Sequence, residues 1–243
     1  MLTRQIQLFQ RLADTPSAPL SSIEKGLLVL STPRSGSTMF CDMLSRTGKI
    51  GLCEEWFNLG YMKAYIKALR KTSFDIIEYL KFVAQKTVGD TGVFAVHAHT
   101  FQLMKQDEFS GIKLSNMHFD FKAYIQRTDY AAQIVSLAIA EKSQQWRCDE
   151  KPGPVDVTLS DCYSAKQRLD YNKQAYYDVY ARQMNATYVY ESFSLPGHTK
   201  SFNEVLVALG KTPCKRFTTS LVKQRNHETA KLTERFRNDL RNQ

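Results

Sequence analysis

Residues 31–39 read Ser-Thr-Pro-Arg-Ser-Gly-Ser-Thr-Met. A short aliphatic run, residues 26–30, precedes them, and Met39, Phe40, Met43 and Leu44 follow at helical spacing. A strand, a Gly/Ser turn and a helix N-terminus together make an anion site. Unsatisfied backbone N–H groups converge there, and the helix dipole adds positive potential. Arg34 supplies a forked cation, Ser35, Ser37 and Thr38 supply hydroxyl donors, and Gly36 permits close backbone approach. The loop lacks the Lys of the nucleotide-triphosphatase pattern GxxxxGK[ST], which argues against magnesium-assisted β,γ-phosphate chemistry. A plain strand-to-helix turn with capping serines is the simpler alternative.

Three further groups carry chemistry. Glu54 and Glu55 stand directly before Trp56 and Phe57; a carboxylate against aromatic rings has its pKa raised, which suits a base for a hydroxyl. His97 and His99 fall at period two on an expected strand, so both lie on one sheet face. Arg127 ends another expected strand, and Ser136 sits about two turns into the next helix, where the two can converge on one phosphate. Asp129 would cap that helix. Each group has a plainer reading. The glutamates could be exposed charges, the histidines hydrogen-bonded structural residues, and Arg127 a surface partner of Asp129. Trp146 reads as a core residue rather than a stacking platform.

The elements that must position these groups follow from periodicity. Short β-type runs occur at 26–30, 91–99, 121–129 and 186–192. Helical patterns occur at 37–48, ending on Gly48, and at 73–87, behind a Ser N-cap with Phe74, Ile77, Leu80 and Val83 on one face. Others cover 130–146, 163–185 and 201–210, the last closed by Gly210. Residues 1–25 read as a partly helical lead-in, 50–61 show no clean period, and the basic end reads as loop then helix. Strands alternating with helices imply an α/β architecture with a central parallel sheet flanked by helices.

The 243 residues carry a net charge of +9, scattered except for a denser stretch from Lys223 to Arg241. That balance attracts phosphate-bearing molecules, while the lack of a block of like charge disfavours a nucleic-acid arm. Five cysteines without a CxxC pair fit free thiols in a reducing, cytoplasmic setting and no metal site. No apolar run approaches the ~18 residues of a membrane span.

The stretch "TPRSGSTMFCDML" resembles the 5′-phosphosulfate loop of sulfotransferases, and the chain is similar to the bacterial trehalose 2-sulfotransferase-like family. Three blocks carry the likeness: residues 28–58, residues 124–146 with Arg-x-Asp followed by Gln, Ser and Trp, and the basic segment 221–240. The resemblance implies one P-loop-like sulfotransferase domain over 1–243 and the co-substrate 3′-phosphoadenosine-5′-phosphosulfate (PAPS), with product 3′-phosphoadenosine 5′-phosphate (PAP). Pro33, Arg34, Ser35, Gly36, Ser37 and Thr38 would hold the phosphosulfate. Arg127 and Ser136 would hold the 3′-phosphate, with Lys223 and Arg225 closing over it, although a solvated basic tail remains the alternative for that pair. Glu55, directly ahead of the aromatic pair, inherits the role of catalytic base. His97 stands where the family usually carries Gly-x-Lys. It would neutralise charge on the transferred group or itself be the base, as in eukaryotic cytosolic sulfotransferases. The acceptor would be a hydroxyl of a carbohydrate or glycolipid, the assembly a homodimer, and metal is not required. A nucleotide kinase or triphosphatase, and a non-catalytic polyanion-binding module, are the rival readings.

Overall fold

A computed structural model describes residues 2–110, 117–146, 155–221 and 227–242. Four strands form a parallel sheet in the order β2-β1-β3-β4: β1 (Lys25–Ser31), β2 (Val93–His99), β3 (Phe121–Gln126) and β4 (Ala186–Val189). The expected α/β architecture with a central parallel sheet is therefore observed. β1 pairs with β2 on one side and β3 on the other, bringing Ser31 level with His99 and with Ile125. The chain thus changes direction across the sheet at β1, and a crevice opens beyond the carboxyl ends of such strands.

Strand alternation feeds two cores. Leu28 and Leu30 of β1, with Phe94, Val96 and Ala98 of β2, face a cluster containing Phe9, Trp56, Tyr65 and Tyr79. Leu27 and Val29, with Val93, Ala95, Ala123 and Ile125, face the other side against Phe40, Phe193 and Phe202. The first layer is built by helices α1 (Leu2–Asp14), α3 (Leu59–Ala68) and α4 (Ile76–Thr87); the second by α2 (Ser37–Ser45), the short α8 (Tyr190–Phe193) and α9 (Lys200–Ala208). α5 (Thr100–Ser110) continues directly from β2. α6 (Tyr130–Ser143), α7 (Leu159–Ala175) and α10 (His227–Arg241) enclose a third cluster around Ile134, Leu169 and Phe236.

Several local expectations shift. Helix α3 arises in a region without clean sequence period, because Asn58 accepts the Gly60 N–H at 2.8 Å and starts it. α4 begins at Ile76 rather than 73: Asp75, not Ser73, caps it by accepting the Glu78 N–H at 2.7 Å. Its buried face is Tyr79, Leu80, Val83 and Ala84, leaving Phe74 and Ile77 exposed. α2 stops at Ser45, three residues before Gly48. α7 ends at Ala175 and passes into a π-type turn (Tyr176–Tyr180) before β4.

Phe9 is fully buried and meets the rings of Trp56, Tyr61, Tyr65 and Tyr79. Phe9→Ala leaves an aromatic-sized hole under α1, and urea unfolding is expected to show a loss of about 3–5 kcal/mol. A loss below about 1 kcal/mol would mean that α1 contributes little to this core.

Candidate active site

The loop after β1 turns through two left-handed residues, Arg34 (φ 61°) and Gly36 (φ 88°), before α2 begins at Ser37. Glycine is required at 36 for a second reason: a Cβ there would stand 2.2 Å from Cδ2 of Tyr190. The buried amide of Gln133 on α6 ties the loop down, donating to Thr32 Oγ1 at 2.9 Å and to the Pro33 carbonyl at 2.7 Å. Arg34 donates from Nε to Ser136 Oγ at 2.9 Å and from an η nitrogen to the Trp146 carbonyl at 2.8 Å.

A cavity of about 1140 Å³ lies over this loop, beyond the carboxyl edge of the sheet. Pro33, Arg34, Gly36, Ser37 and Thr38 line it together with Arg127 and Ser136. Ser35 does not: it is fully buried, and its hydroxyl has no hydrogen-bond partner among the described residues. Arg127 sits against Glu191, with Nε 3.7 Å from the carboxylate, and over the Tyr190 ring at 5.1 Å. It does not pair with Asp129, whose Oδ1 instead caps α6 at the Ala132 N–H and takes the Arg237 guanidinium at 3.0 Å. Trp146 is half-buried: it packs against the cluster around Ile134, in keeping with its reading as core, and also lines the cavity. Lys223 and Arg225 lie outside the described residues.

Glu55 lines the same cavity. The segment before it runs along the outer edge of β2, where Gly51 donates to the Val93 carbonyl and the Glu54 carbonyl accepts from His97 N, each at 3.0 Å. That pairing delivers Glu55 beside the end of β2. Its Oε2 accepts from Asn58 at 2.9 Å and Gln102 at 2.8 Å. Its Oε1 faces His97 Nδ1 at 3.9 Å and His99 Nε2 at 3.8 Å. Glu54 is turned away, accepting from Tyr61 OH at 2.6 Å.

The two histidines share one sheet face, as their spacing implies, but differ in access. His99 lines the cavity; His97 is 2 % exposed and sits behind it. Both reach the buried hydroxyl of Ser31, His97 Nε2 at 3.1 Å and His99 Nδ1 at 2.9 Å, and Ser31 in turn contacts Ser37 Oγ at 3.0 Å.

The expectation of a raised Glu55 pKa is overturned. Burial pushes it up, but His99, His97 and the amides of Asn58 and Gln102 outweigh that and hold it at about 2. The aromatic neighbours contribute no such rise because Trp56 and Phe57 are turned into the protein, with Trp56 Nε1 bonded to the Ala95 carbonyl. Burial also lowers the His99 pKa, ahead of the opposing pull of Glu55. Sequence reasoning missed Gln102, Asn58 and Ser31. Asn58 alone had a local signal, as an Asn opening a helix.

Two outcomes follow. Gly36→Ala is strained at φ 88° and collides with Tyr190, so calorimetric melting should show it destabilised by at least about 1–2 kcal/mol; an unchanged melting temperature would deny the contact. A carboxyl depressed in the folded state adds stability above its unfolded pKa and loses it as pH falls toward the folded value. Urea midpoints should therefore drop between about pH 4.5 and 2 more steeply in the unaltered protein than in Glu55→Gln. Parallel curves would show that Glu55 is not so held.

No curated protein matches the chain. Residues 26–107 match the family model described as Stf0 sulphotransferase. The matched segment contains the anion loop, Glu55 and both histidines; Arg127 and Ser136 lie beyond it. The segment that builds the floor of this cavity is thus similar to the Stf0 sulphotransferase family, over about a third of the chain.

Proposed function

We propose that this sulfotransferase moves the sulfuryl group of PAPS to a hydroxyl of a carbohydrate or glycolipid, with Glu55 receiving the hydroxyl proton. One observation carries the reading. A single cavity has the N-terminus of α2, Arg127 and Ser136 on its walls and an ionised carboxylate, Glu55, on the same surface. Its volume of about 1140 Å³ exceeds the ~300–1,000 Å³ of a pocket for one small ligand, which suits a donor and an acceptor held together.

The donor's 5′-phosphosulfate would take the N–H groups opening α2 with the hydroxyls of Ser37 and Thr38. Its 3′-phosphate would lie between Arg127 and Ser136, with Arg34 beside them. As the acceptor oxygen bonds to sulfur, the bond from sulfur to the phosphate oxygen breaks, and its electron pair leaves with PAP. The loop then stabilises charge accumulating on that phosphate. Phe101 and Tyr171 supply flat surfaces along the lining, compatible with a sugar. The free thiols Cys41, Cys53, Cys162 and Cys214 accord with a reducing cytoplasm. No helix among the described residues is long and apolar enough to cross a membrane. A homodimer completes the reading, on resemblance alone.

Calorimetric titration with PAP, adenosine 5′-phosphate and magnesium-ATP tests it. PAP should bind tightest, and both loss of its 3′-phosphate and Arg127→Ala should weaken binding roughly 10- to 100-fold, as for one lost charge-assisted hydrogen bond. Equal or tighter binding of magnesium-ATP would point to phosphoryl chemistry. No nucleotide binding would leave the loop a capped turn and end the proposal.

A further inference from the structure

Resting on the reading above, we propose that Glu55 and His99 act as one proton-accepting pair, in which Glu55 touches the acceptor hydroxyl and His99 holds the proton.

The argument begins at Ser31. A hydroxyl offers one proton and two lone pairs. Ser31 is fully buried and donates its proton to Ser37 Oγ. With that proton on Ser37 Oγ, the pair requires both histidines to donate to Ser31, His97 from Nε2 and His99 from Nδ1. The remaining ring nitrogens, His97 Nδ1 and His99 Nε2, point lone pairs at Glu55 Oε1 across 3.9 and 3.8 Å. Acceptor thus faces acceptor, an arrangement that a single added proton satisfies.

The carboxylate is divided to match. Oε2 is occupied by Asn58 and Gln102, whereas Oε1 receives no hydrogen bond from a described residue. Oε1 is therefore the atom open to a substrate hydroxyl, and it is also the atom turned to the histidines. Gln102 holds both members, donating to Glu55 Oε2 and accepting the backbone N–H of His99 at 2.9 Å. Of the two rings, His99 lines the cavity. A closing movement of about 1 Å would bring its Nε2 within hydrogen-bond range of Oε1.

The step balances as follows. The acceptor oxygen bonds to sulfur while its proton passes to Glu55 Oε1. The proton moves on to His99 Nε2, giving an imidazolium beside a restored carboxylate. The electron pair of the broken sulfur–oxygen bond leaves on PAP, and the imidazolium later releases its proton to solvent. The pair answers a physical difficulty: the amides of Asn58 and Gln102 favour the ionised form of Glu55, so Glu55 alone is a poor resting place for a proton. Around His99 stand Ser31 of β1, His97 of β2, Arg34 of the anion loop, Phe101 stacked at 5.9 Å, Gln102 of α5 and Glu55. Burial and Arg34 keep the resting ring neutral; Glu55 and Ser31 favour its charged form. His99 acts through Glu55, and Ser31 ties both to the start of α2.

The test reads ring nitrogens and needs neither nucleotide nor acceptor. In ¹⁵N-histidine-labelled protein, His99 should be neutral at pH 7 as the Nδ1–H tautomer. Glu55→Gln should lower its titration midpoint by about one pH unit or more, because a facing negative charge is lost. The Nε2–H tautomer, or a midpoint that does not move, overturns the proposal. Should Glu55→Gln fail to fold, the ¹³C carboxyl signal of Glu55 in the unaltered protein replaces it: the signal must shift as His99 titrates, and a flat trace overturns the pair. If PAP binds while His99 is unmoved, sulfuryl transfer stands and the pair falls. If PAP does not bind, sulfuryl transfer falls whatever the histidine does.

Discussion

The buried hydroxyl of Ser31 is the constraint on which the site depends. It ends the central strand β1, has no access to water, and meets two imidazoles and the Ser37 hydroxyl. A polar group so enclosed costs stability unless every bond is made, so it locks its partners together. One partner opens the helix beneath the anion loop, and the other two look onto Glu55. The loop and Glu55 are thereby indexed to one atom. The parallel register enforces this, since Ser31 stands level with His99 only because β1 and β2 run the same way.

Around that point the protein holds unfavourable local choices in place with tertiary contacts. Arg34 adopts a left-handed backbone that a non-glycine residue disfavours, and Gln133 from a distant helix fastens the residues before it. Glu55 is drawn from an irregular segment that borrows the edge of β2. The result is a carboxylate whose environment keeps it charged, set against a loop whose environment attracts charge of the same sign. The cavity therefore separates the two, and they do not meet in direct contact.

The parts legible in the sequence are those with local causes. β1 and the loop are marked by an aliphatic run and by Gly36, the cap of α6 by Asp129, and the shared face of His97 and His99 by strand alternation. What failed to show has causes elsewhere in the chain. Helix α3 is hidden because Tyr61, Met62 and Tyr65 serve a core completed by α1 and α4. Phe74 and Ile77 are apolar at helical spacing, yet the cap at Asp75 and the packing of Tyr79 turn them outward. The pKa of Glu55 was misjudged because Trp56 and Phe57 adjoin it in sequence but not in its environment, while His99 and Gln102 lie over forty residues away. Which histidine faces the cavity depends on the depth of the strand end, and spacing carries no information on depth.

α10 connects these parts in another way. Its Arg237 pairs with Asp129, 108 residues earlier, and Phe236 fills the cluster between α6 and α7. Thr229 and Thr233 of α10 form cavity wall near Ser136. The loop and Glu55 leave the ribosome early, but the wall beside Ser136 is not complete until α10 has followed every other element described. A stretch of chain that stops short of α10 thus holds the loop and Glu55 yet lacks one side of the cavity.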